Sequence, residues 1–418
     1  MITIGVDDTD SEEGLCTTYL AAVMMDRLAD LGEIKGFPKL VRLNPCVQFK
    51  TRGNAAIAFS LDTDRVEEAK EVALKTLMEL SDFAGPKTNP GLVVAENVPE
   101  ELTRFYRRAL DEVLEVREAE DIIERCGLWF RSFKNRRGLI GALAAMGAEF
   151  PDETYELLAY RKPERWGTPR EIDEESVWRA DELTYPGTWD TVDHHNRKVV
   201  FAPHSKDPVL FGIRGEDPEA ILSALKNIRS EPFERMVIYR TNQGTDVHIN
   251  EGEIGGVVEN RSYRLRGVVA KEAEAIEGGH LFFPLVSENG GGSISCAAFE
   301  PTKNFRDLVR ALAPGDVIEV YGAVKKRTLN IEKMEVVALA ERTALEAPLC
   351  PSCHRRMKSA GRGQGYRCKR CKTMAEGKVE FPLHREIEPG LYEVPPCARR
   401  HLSKPLVRMR GRNVHPSR

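Results

Sequence analysis

The sequence has 418 residues, which predicts about three compact units because a domain usually has roughly 100–200 residues. Hydrophobic residues make up 41% and charged residues 30%, a balance that excludes a disordered or fibrous chain. The net charge of −4 combines two unlike parts: residues 350–418 hold 17 Lys and Arg against 5 Asp and Glu, a net of +12, and the remainder carries −16. A basic C-terminal arm on an acidic body indicates a polyanion-binding end joined to a part that handles cations, metals or nucleotides.

We expect a cytoplasmic protein without a membrane span. The longest weakly polar stretch, residues 138–148, is far shorter than the roughly 20 apolar residues that cross a bilayer. Residues 1–7 lack the basic region and apolar stretch of a secretory signal. Five of the nine Cys are scattered singly, which argues against a disulfide framework.

The first unit begins with strand, acidic turn and helix. Residues 2–6 alternate as a strand does, Asp7 to Ser11 form the acidic turn DDTDS, and residues 17–31 have helical apolar spacing. Together with the elements that follow, this order predicts an α/β unit whose sheet is covered by helices. The further predicted strands are 39–43, 55–61 and 91–94, and the further predicted helices cover 64–80 and about 100–125.

A second unit starts near Asn135, and a third near Tyr263. The second has a helix at 139–146, strands at 155–160, 198–202 and 209–213, a helix at 218–228 and a strand at 235–239; its ββαβ ending predicts a ferredoxin-like α+β domain. The third has five strands, at 263–270, 281–286, 293–299, 317–324 and 329–338, with a helix at 304–313 between the third and fourth. That order predicts an OB-fold barrel.

Four of the nine Cys form two C-x2-C pairs with 14 residues between them, and this spacing predicts a closed Zn²⁺ site of the zinc-ribbon type. A redox pair is the weaker alternative, because two pairs rarely coincide at ribbon spacing. Cys397 and His401 could form a further ligand pair, but a lone Cys and His four residues apart are more often structural, so no role is assigned to them. The predicted zinc ligands are Cys350, Cys353, Cys368 and Cys371.

The acidic turn is the second motif with a chemical meaning. Carboxylates at Asp7, Asp8 and Asp10 can hold Mg²⁺, which usually carries nucleotide phosphates, and the positive end of the following helix favours an anion there. Thr17 and Thr18 lie in the first turn of that helix, as phosphate ligands or as an acceptor hydroxyl. The alternative is an N-cap on a solvated acidic loop.

Two loops place a cation beside Gly and Asn, which suits phosphate contact: one holds Lys50 and Arg52, and the other holds Lys87. Either loop alone could be an ordinary surface turn. No G-x-x-x-x-G-K-[ST] motif occurs, so any ATP site is of another kind. The predicted phosphate contacts are Thr9, Ser11, Thr17, Lys50, Arg52 and Lys87.

Several motifs, in this order along nearly the whole chain, resemble the archaeal tRNA-isoleucine agmatidine synthase family, TiaS. Each motif is modest alone, but their order together with the barrel and ribbon is specific. They are GVDDTDS (Gly5 to Ser11), Thr17-Thr18, RLNP (Arg42 to Pro45), TRGNAA (Thr51 to Ala56), NRRGLIGALAA (Asn135 to Ala145), FGIRG (Phe211 to Gly215) and TNQGTD (Thr241 to Asp246).

The resemblance implies a kinase-like domain (1–133) that binds ATP and Mg²⁺, a ferredoxin-like domain (134–255) with the agmatine site, an OB fold (258–345) that binds tRNA, and a zinc ribbon with a basic C-terminal tail (346–418). It implies that ATP is consumed to attach agmatine to C2 of the wobble cytidine in the CAU anticodon of isoleucine tRNA. Phosphoryl transfer would make the cytosine 2-oxygen a leaving group. Asp7, Asp8 and Asp10 would hold Mg²⁺ and ATP, and Thr18 matches a threonine that family members autophosphorylate.

Agmatine is a dication, so its pocket should present carboxylates, and Asp193, Asp207 and Asp246 are the candidates. The alternatives to a tRNA-modifying ligase are a non-catalytic RNA-binding protein and a small-molecule kinase. The predicted tRNA contacts lie on the barrel strands, on the ribbon and in the tail. Those singled out are Arg264, Arg266, Lys325, Arg355, Arg356, Arg367, Lys369 and Arg370.

Overall fold

The computed structural model describes residues 1–11, 14–49, 53–409 and 413–418. The first unit is a sheet with strand order β5-β4-β1-β3-β2, in which every neighbouring pair is antiparallel. Its elements are β1 (Ile2–Asp7), α1 (Thr17–Leu28), β2 (Glu33–Arg42), β3 (Ala55–Asp62), α2 (Val66–Leu80), β4 (Gly91–Ala95), α3 (Glu100–Asp111), α4 (Val116–Cys126), β5 (Trp129–Ser132) and α5 (Gly138–Met146).

Helices cover both faces of this sheet because its strands are apolar on both sides. In β3, Ile57 and Phe59 pack with α1 and α2, while the intervening Ala56 and Ala58 pack with α3 and α5. Gly5 of β1 lets α5 approach closely, since a Cβ there would lie 2.5 Å from the Ala142 carbonyl oxygen. The helix that the sequence places in the second unit therefore packs on the sheet of the first.

The second unit adds an antiparallel group in the order β11-β6-β10-β7. The predicted strand at 198–202 is wrong: only Lys198–Val199 pairs, in a separate two-stranded hairpin. Phe201 is buried against Phe211, so its apolar signal reflects core packing rather than strand pairing. The elements are β6 (Thr154–Arg161), α6 (Glu174–Thr184), β7 (Thr188–Trp189), β8 (Val192–Asp193), β9 (Lys198–Val199), β10 (Val209–Gly215), α7 (Pro218–Asn227) and β11 (Phe233–Thr241).

The two units share one nine-stranded sheet, which the sequence did not reveal. Strands β2 and β11 pair in parallel, with Lys39 opposite Arg240. On the face that carries α1, the hydroxyls of Tyr160 and Tyr239 lie 3.0 Å apart, and the Tyr239 hydroxyl donates to the Thr18 carbonyl at 3.0 Å. The start of α1 is thereby fixed to the second unit.

The third unit is a closed five-stranded barrel with α8 between its third and fourth strands, as predicted. Closure follows from the order β13-β15-β16-β18-β17, because β17 pairs back with β13. Only the β16–β18 pair in this ring is parallel. The elements are β12 (Ile249–Glu251), β13 (Ser262–Val269), β14 (Glu274–Ala275), β15 (Leu281–Val286), β16 (Ser293–Ala298), α8 (Phe305–Arg310), β17 (Val317–Lys325) and β18 (Thr328–Ala338).

The remaining chain forms two separate parts. Strands β19 (Thr343–Glu346) and β23 (Val379–Pro382) pair as a stalk, and residues 347–378 between them, here called the ribbon, hold β20 (Lys358–Ser359), β21 (Tyr366–Arg367) and β22 (Met374–Ala375). Residues 390–409 and 413–418, here called the C-terminal segment, return to the body: β24 (Gly390–Glu393) joins β18, and β25 (Val414–His415) joins β24.

The C-terminal segment is basic, but several of its cations are neutralised by carboxylates of the second unit. Arg399 pairs with Asp190 and Glu393, and all three side chains are at most 5% exposed. Arg408 pairs with carboxylates at positions 152 and 216, and Arg418 pairs with the one at position 181. The expectation that the whole basic arm faces RNA is therefore wrong for these three arginines, since charge composition does not reveal which charges are paired.

Within the described parts of the chain, no helix is both long and apolar enough to cross a membrane.

Candidate functional site

The acidic turn lies against the first turns of α5. Asp7 ends β1, and a Cβ at Gly141 of α5 would overlap its carboxylate, so only glycine permits this approach. Burial raises the pKa of Asp7 well above its usual range, and the neighbouring Asp8 carboxylate raises it further. Burial also raises the pKa of Asp8 to about 7, against the lowering effect of a hydrogen bond from Asn89. Both carboxyl groups are thus destabilised as anions in the absence of a cation.

Asp10 has a different role, because its carboxylate caps α1. It accepts hydrogen bonds from the Thr17 backbone N–H at 2.7 Å and from the Thr17 hydroxyl at 3.1 Å. The Thr17 hydroxyl in turn accepts from the hydroxyl of Thr9, which is fully buried. Ser11 is also buried and accepts from the Leu15 N–H. Asp10 thus caps an N–H group of α1, as the alternative proposed, but the turn is not a solvated loop, because Thr9 and Ser11 are buried in it.

A loop before β4 holds the acidic turn in place. The Asn89 N–H donates to the Asp8 carbonyl at 2.9 Å, and the Asn89 side chain donates to the Asp8 carboxylate at 3.1 Å. The Thr88 hydroxyl donates to the Asp10 carbonyl at 2.7 Å. In the same loop, Lys87 is exposed and lies outside the cleft lining described next. The other predicted phosphate-binding loop, with Lys50 and Arg52, falls outside the described residues.

A cleft that we call the acidic cleft opens at this turn. All three turn carboxylates, at positions 7, 8 and 10, line it. Arg137 also lines it, with its guanidinium 4.5 Å from the ring centroid of Phe49. Carboxylates, a guanidinium and apolar side chains in one lining suit a nucleotide, which presents both phosphates and a base. The apolar lining is Leu43, Val47, Ala109, Leu114 and Ile140.

A second cavity, of about 1060 Å³, lies between the first two units, residues 300–303 before α8 and the C-terminal segment; we call it the central cavity. Asp10, Thr17, Gly53 and Ala55 line both the acidic cleft and this cavity, so the two spaces meet there. Thr18 lines the central cavity and is 9% exposed. A group transferred from the cleft would therefore enter the central cavity beside these residues.

Of the three carboxylates predicted for an amine site, only Asp207 lines the central cavity. It also pairs with Arg170 at 3.4 Å and accepts from the Val209 N–H at 3.0 Å. Asp193 is engaged elsewhere: it accepts from the N–H groups of residues 196 and 397. Asp246 binds Lys333 of the barrel at 2.6 Å, so it joins two units instead of facing the cavity.

Sequence reasoning missed the charged wall of the central cavity. Glu156 is buried and accepts from Arg214 Nε at 3.1 Å, while Arg42 lies 4.0 Å from it. Burial lowers the pKa of Arg42 to about 10. Arg42 and Arg214 belong to the quoted motifs RLNP and FGIRG, but nothing in either motif indicates that β2 and β10 would bring them together.

The ribbon gathers its four predicted ligands. The sulfur atoms of Cys350, Cys353, Cys368 and Cys371 all lie within 4.8 Å of one another. The Cys371 N–H donates to the Cys368 sulfur at 3.4 Å, as ribbon knuckles do around a thiolate. This donor set fits a structural Zn²⁺ ion. Among the described residues, the turn carboxylates at positions 7, 8 and 10 do not form such a preformed cluster.

The predicted tRNA contacts divide into two groups. On the barrel, Arg264 pairs with Glu319 and Arg266 with Glu288, so their charge is already balanced, and Lys325 lies at the end of β17. On the ribbon, Arg356 pairs with Glu346 of the stalk. The remaining ribbon cations are exposed and give the ribbon its basic surface: Arg355, Arg367, Lys369 and Arg370.

Known proteins share both the sequence and the fold. Three family models match: the TiaS TCKD domain over residues 3–135, the TiaS FLD domain over 136–248 and the TiaS C-terminal zinc ribbon domain over 347–387. The tRNA(Ile2) 2-agmatinylcytidine synthetase TiaS of Methanosarcina mazei is 51% identical over 421 residues, which covers 98% of each chain.

Two solved structures that resemble the chain contain ligands. One, a TiaS-tRNA(Ile2)-ATP complex, has a TM-score of 0.90 at 48% identity and covers 100% of this chain and 99% of its own. The other, a TiaS-tRNA(Ile2)-AMPCPP-agmatine complex, has a TM-score of 0.88 at 45% identity with the same coverage.

Proposed function

Because the chain belongs to the TiaS family of tRNA(Ile2) 2-agmatinylcytidine synthetases, we propose that the two joined cavities carry out that reaction. The enzyme uses ATP to join agmatine to C2 of the wobble cytidine of isoleucine tRNA with the CAU anticodon. The observation that carries the proposal is the shared lining at Asp10, Thr17, Gly53 and Ala55, which sets a cleft lined by three carboxylates beside a cavity large enough for a nucleobase and an amine. The two alternatives, an RNA-binding protein without catalysis and a small-molecule kinase, are not favoured.

The chemistry has two steps. The cytosine 2-oxygen takes a phosphoryl group from ATP, which turns that oxygen into a leaving group. The agmatine amine then attacks C2 and loses a proton, and the oxygen departs with the phosphate. The wobble base must leave the anticodon stack to reach the junction of the two cavities. Burial of the reacting atoms there excludes water that would compete with the amine.

The acidic turn fits a Mg²⁺ ion by its donor chemistry, since Asp7 and Asp8 offer carboxylate oxygens whose raised pKa values a divalent cation would reverse. Asp7, Asp8 and Asp10 would hold the ion. When bound, it would neutralise phosphate charge as the phosphoryl group leaves ATP. Asn89 keeps the Asp8 carboxylate oriented towards the cleft.

We assign Thr18 as the threonine that becomes autophosphorylated. Its position next to Thr17 at the shared lining places its hydroxyl within the cavity that receives a transferred group. The Cys16 sulfur lies 3.3 Å from the Thr18 hydroxyl, and the Tyr239 hydroxyl holds the Thr18 backbone.

We also propose the finer domain assignments that the family resemblance implied. Residues 1–133 are the kinase-like ATP domain, 134–255 the ferredoxin-like domain, 258–345 the OB fold and 346–418 the ribbon with the C-terminal segment. We place the main tRNA contact on the ribbon, because Arg355, Arg367, Lys369 and Arg370 are exposed there and form no ion pair with a carboxylate among the described residues, unlike Arg264 and Arg266. We place the reaction in the cytoplasm, where the four zinc thiolates stay reduced.

Mass spectrometry tests the function directly. Incubation of a CAU-anticodon isoleucine tRNA with protein, ATP and agmatine should add the agmatine mass to the wobble cytidine. The same digest should show a phosphate on the peptide that carries Thr18. Reactions without ATP or without agmatine are the controls. An unmodified cytidine in the complete reaction would overturn the proposed function, and an unphosphorylated peptide would overturn the role of Thr18.

Replacing Asp207 with Asn should raise KM for agmatine about tenfold or more, because a charge-assisted hydrogen bond is worth roughly 1.5–3 kcal/mol. Asn retains an oxygen that can accept from the Val209 N–H, so the fold should persist. The matched control is Asp307→Asn on α8, whose carboxylate is 72% exposed. Initial rates over an agmatine series, at saturating ATP, give the measurement. If KM for agmatine stays at the wild-type value, Asp207 does not bind the amine.

A further inference from the structure

The C-terminal segment builds part of the central cavity. Pro396, Cys397, Arg399 and His401 all line it. The backbone around His401 is fixed to the turn after β11, since the Gly244 N–H donates to the His401 carbonyl at 2.7 Å. His401 therefore reaches the cavity from a part of the sequence that follows the ribbon.

The orientation and protonation of the His401 ring follow from one contact. Arg214 Nη2 lies 2.7 Å from His401 Nδ1. A guanidinium offers only donors, so Nδ1 must accept and a neutral ring carries its proton on Nε2. Arg214 in turn pairs with the carboxylates of Glu156 and Asp190.

The other edge of the ring packs on the junction of the two cavities. A Cβ placed on Gly53 would lie 3.1 Å from His401 Nε2 and 2.7 Å from Arg42 Nη1. Arg42 Nη1 also donates to the Gly53 carbonyl at 3.2 Å. The backbone at Gly53 thus lies between a guanidinium from β2 and an imidazole from the C-terminal segment.

We propose that His401 is a further positioning residue of the agmatine-transfer reaction. It connects Arg214 on β10 to the backbone at Gly53, and so sets the distance between the wall of the central cavity and the mouth of the acidic cleft. The inference rests on the proposed function for the identity of the reaction. A metal role with Cys397 does not fit, because within the described ranges the ribbon cysteines are the only such ligand cluster, and Arg214 occupies Nδ1.

Two variants and one control test the proposal on the full-length protein. His401→Ala removes the imidazole and with it the contact to Arg214 and the approach to Gly53. His401→Gln keeps an acceptor for Arg214 and a donor on the opposite side. The control, His415→Ala, removes a histidine of the same segment that stacks on Tyr392 at 4.3 Å and lies outside the lining of the central cavity.

We expect His401→Ala to lower kcat for tRNA agmatinylation at least tenfold while KM for ATP changes less than threefold, and His401→Gln to recover most of the loss. Hydrogen–deuterium exchange should become faster in His401→Ala for a peptide with Gly53 to Ala55, and stay at the wild-type rate in His415→Ala. The thermal unfolding temperature of each variant shows whether it is folded at the assay temperature.

Wild-type kcat in folded His401→Ala, or unchanged exchange at Gly53, would overturn the positioning role. So would an equal loss of kcat in His415→Ala, because a merely structural contribution of the segment predicts that result. If the wild-type enzyme itself fails to modify tRNA, the proposed function fails instead, and the exchange measurement still decides whether His401 holds the junction.

Discussion

Replacing Asp8 with Asn is expected to reduce ATP-dependent modification of tRNA by about 100-fold or more, while tRNA affinity stays within about twofold of wild type. The carboxylate lies at the acidic cleft, whereas the cations that we propose to bind tRNA lie on the ribbon, so the two functions should separate. Asn is isosteric and keeps an oxygen for the Asn89 side chain, so the turn should persist. Single-turnover modification and equilibrium tRNA binding, measured on the same preparation, provide the comparison.

The same substitution should stabilise the metal-free protein at high pH. The pKa of Asp8 is about 7 when folded and 3.8 in a model peptide, so between these values the folded state binds more protons than the unfolded state. The free energy of unfolding contributed by Asp8 therefore falls as pH rises from about 4 to 7, by a few kcal/mol. Asp8→Asn removes this pH-dependent loss of stability. Its unfolding temperature should therefore exceed that of the wild type by more at pH 8 than at pH 4.

The control for both measurements is Asp64→Asn, at an exposed position before α2. It should leave activity and the pH dependence of unfolding unchanged. If Asp8→Asn modifies tRNA at the wild-type rate, Asp8 does not take part in the reaction. An equal gain in unfolding temperature at pH 4 and pH 8 would show that burial does not disfavour the Asp8 anion.

Two deletions at the C-terminal end should have opposite effects. Residues Glu346 and Val379 are paired neighbours in the stalk, so a two-residue Asn-Gly turn can replace the ribbon between them. This deletion should lose most of the tRNA affinity and leave ATP binding and the fold intact. Truncation after Pro389 should instead destabilise the body by roughly 3–5 kcal/mol or more, since it leaves Asp190 without the buried Arg399 partner.

Fluorescence anisotropy with labelled tRNA and thermal unfolding separate these outcomes. Arg399→Lys in the full chain is the matched control for the truncation, because it keeps the charge at the Asp190 contact. If the protein without the ribbon binds tRNA with wild-type affinity, the ribbon does not make the main tRNA contact. An unfolding temperature unchanged by the truncation would show that the C-terminal segment is dispensable. A deletion of residues 346–418 as a whole would mix the two effects.

Features that depend on residues close together in the sequence were predicted, and features that depend on contacts between distant residues were missed. The spacing of Cys350 to Cys371 is a local signal and gave the ribbon cluster, and the alternation of strands 263–338 gave the barrel. The acidic turn was found from residues 7–10, but the capping role of Asp10 depends on where α1 begins.

Contacts between distant parts of the chain could not be predicted from the sequence. Asp246 is a carboxylate and was therefore a candidate for binding the amine. In the structure it instead accepts a hydrogen bond from Lys333, 87 residues away in the sequence. His401 was considered only as a possible ligand partner of Cys397, and the return of the C-terminal segment to the body is what places it beside Arg214. Pairing across such separations depends on topology, which neither composition nor periodicity specifies.

The position of α5 determines whether the two N-terminal parts of the chain can be separated. The boundary between the two N-terminal family models falls at residues 135 and 136, immediately before this helix. Yet α5 packs on β1, and β2 and β11 join their sheets by backbone hydrogen bonds across the same boundary. A gene fragment cut there would encode a sheet without its covering helix and a helix without its sheet. The two parts matched by separate family models therefore share one sheet and one core, and we expect neither to be stable alone.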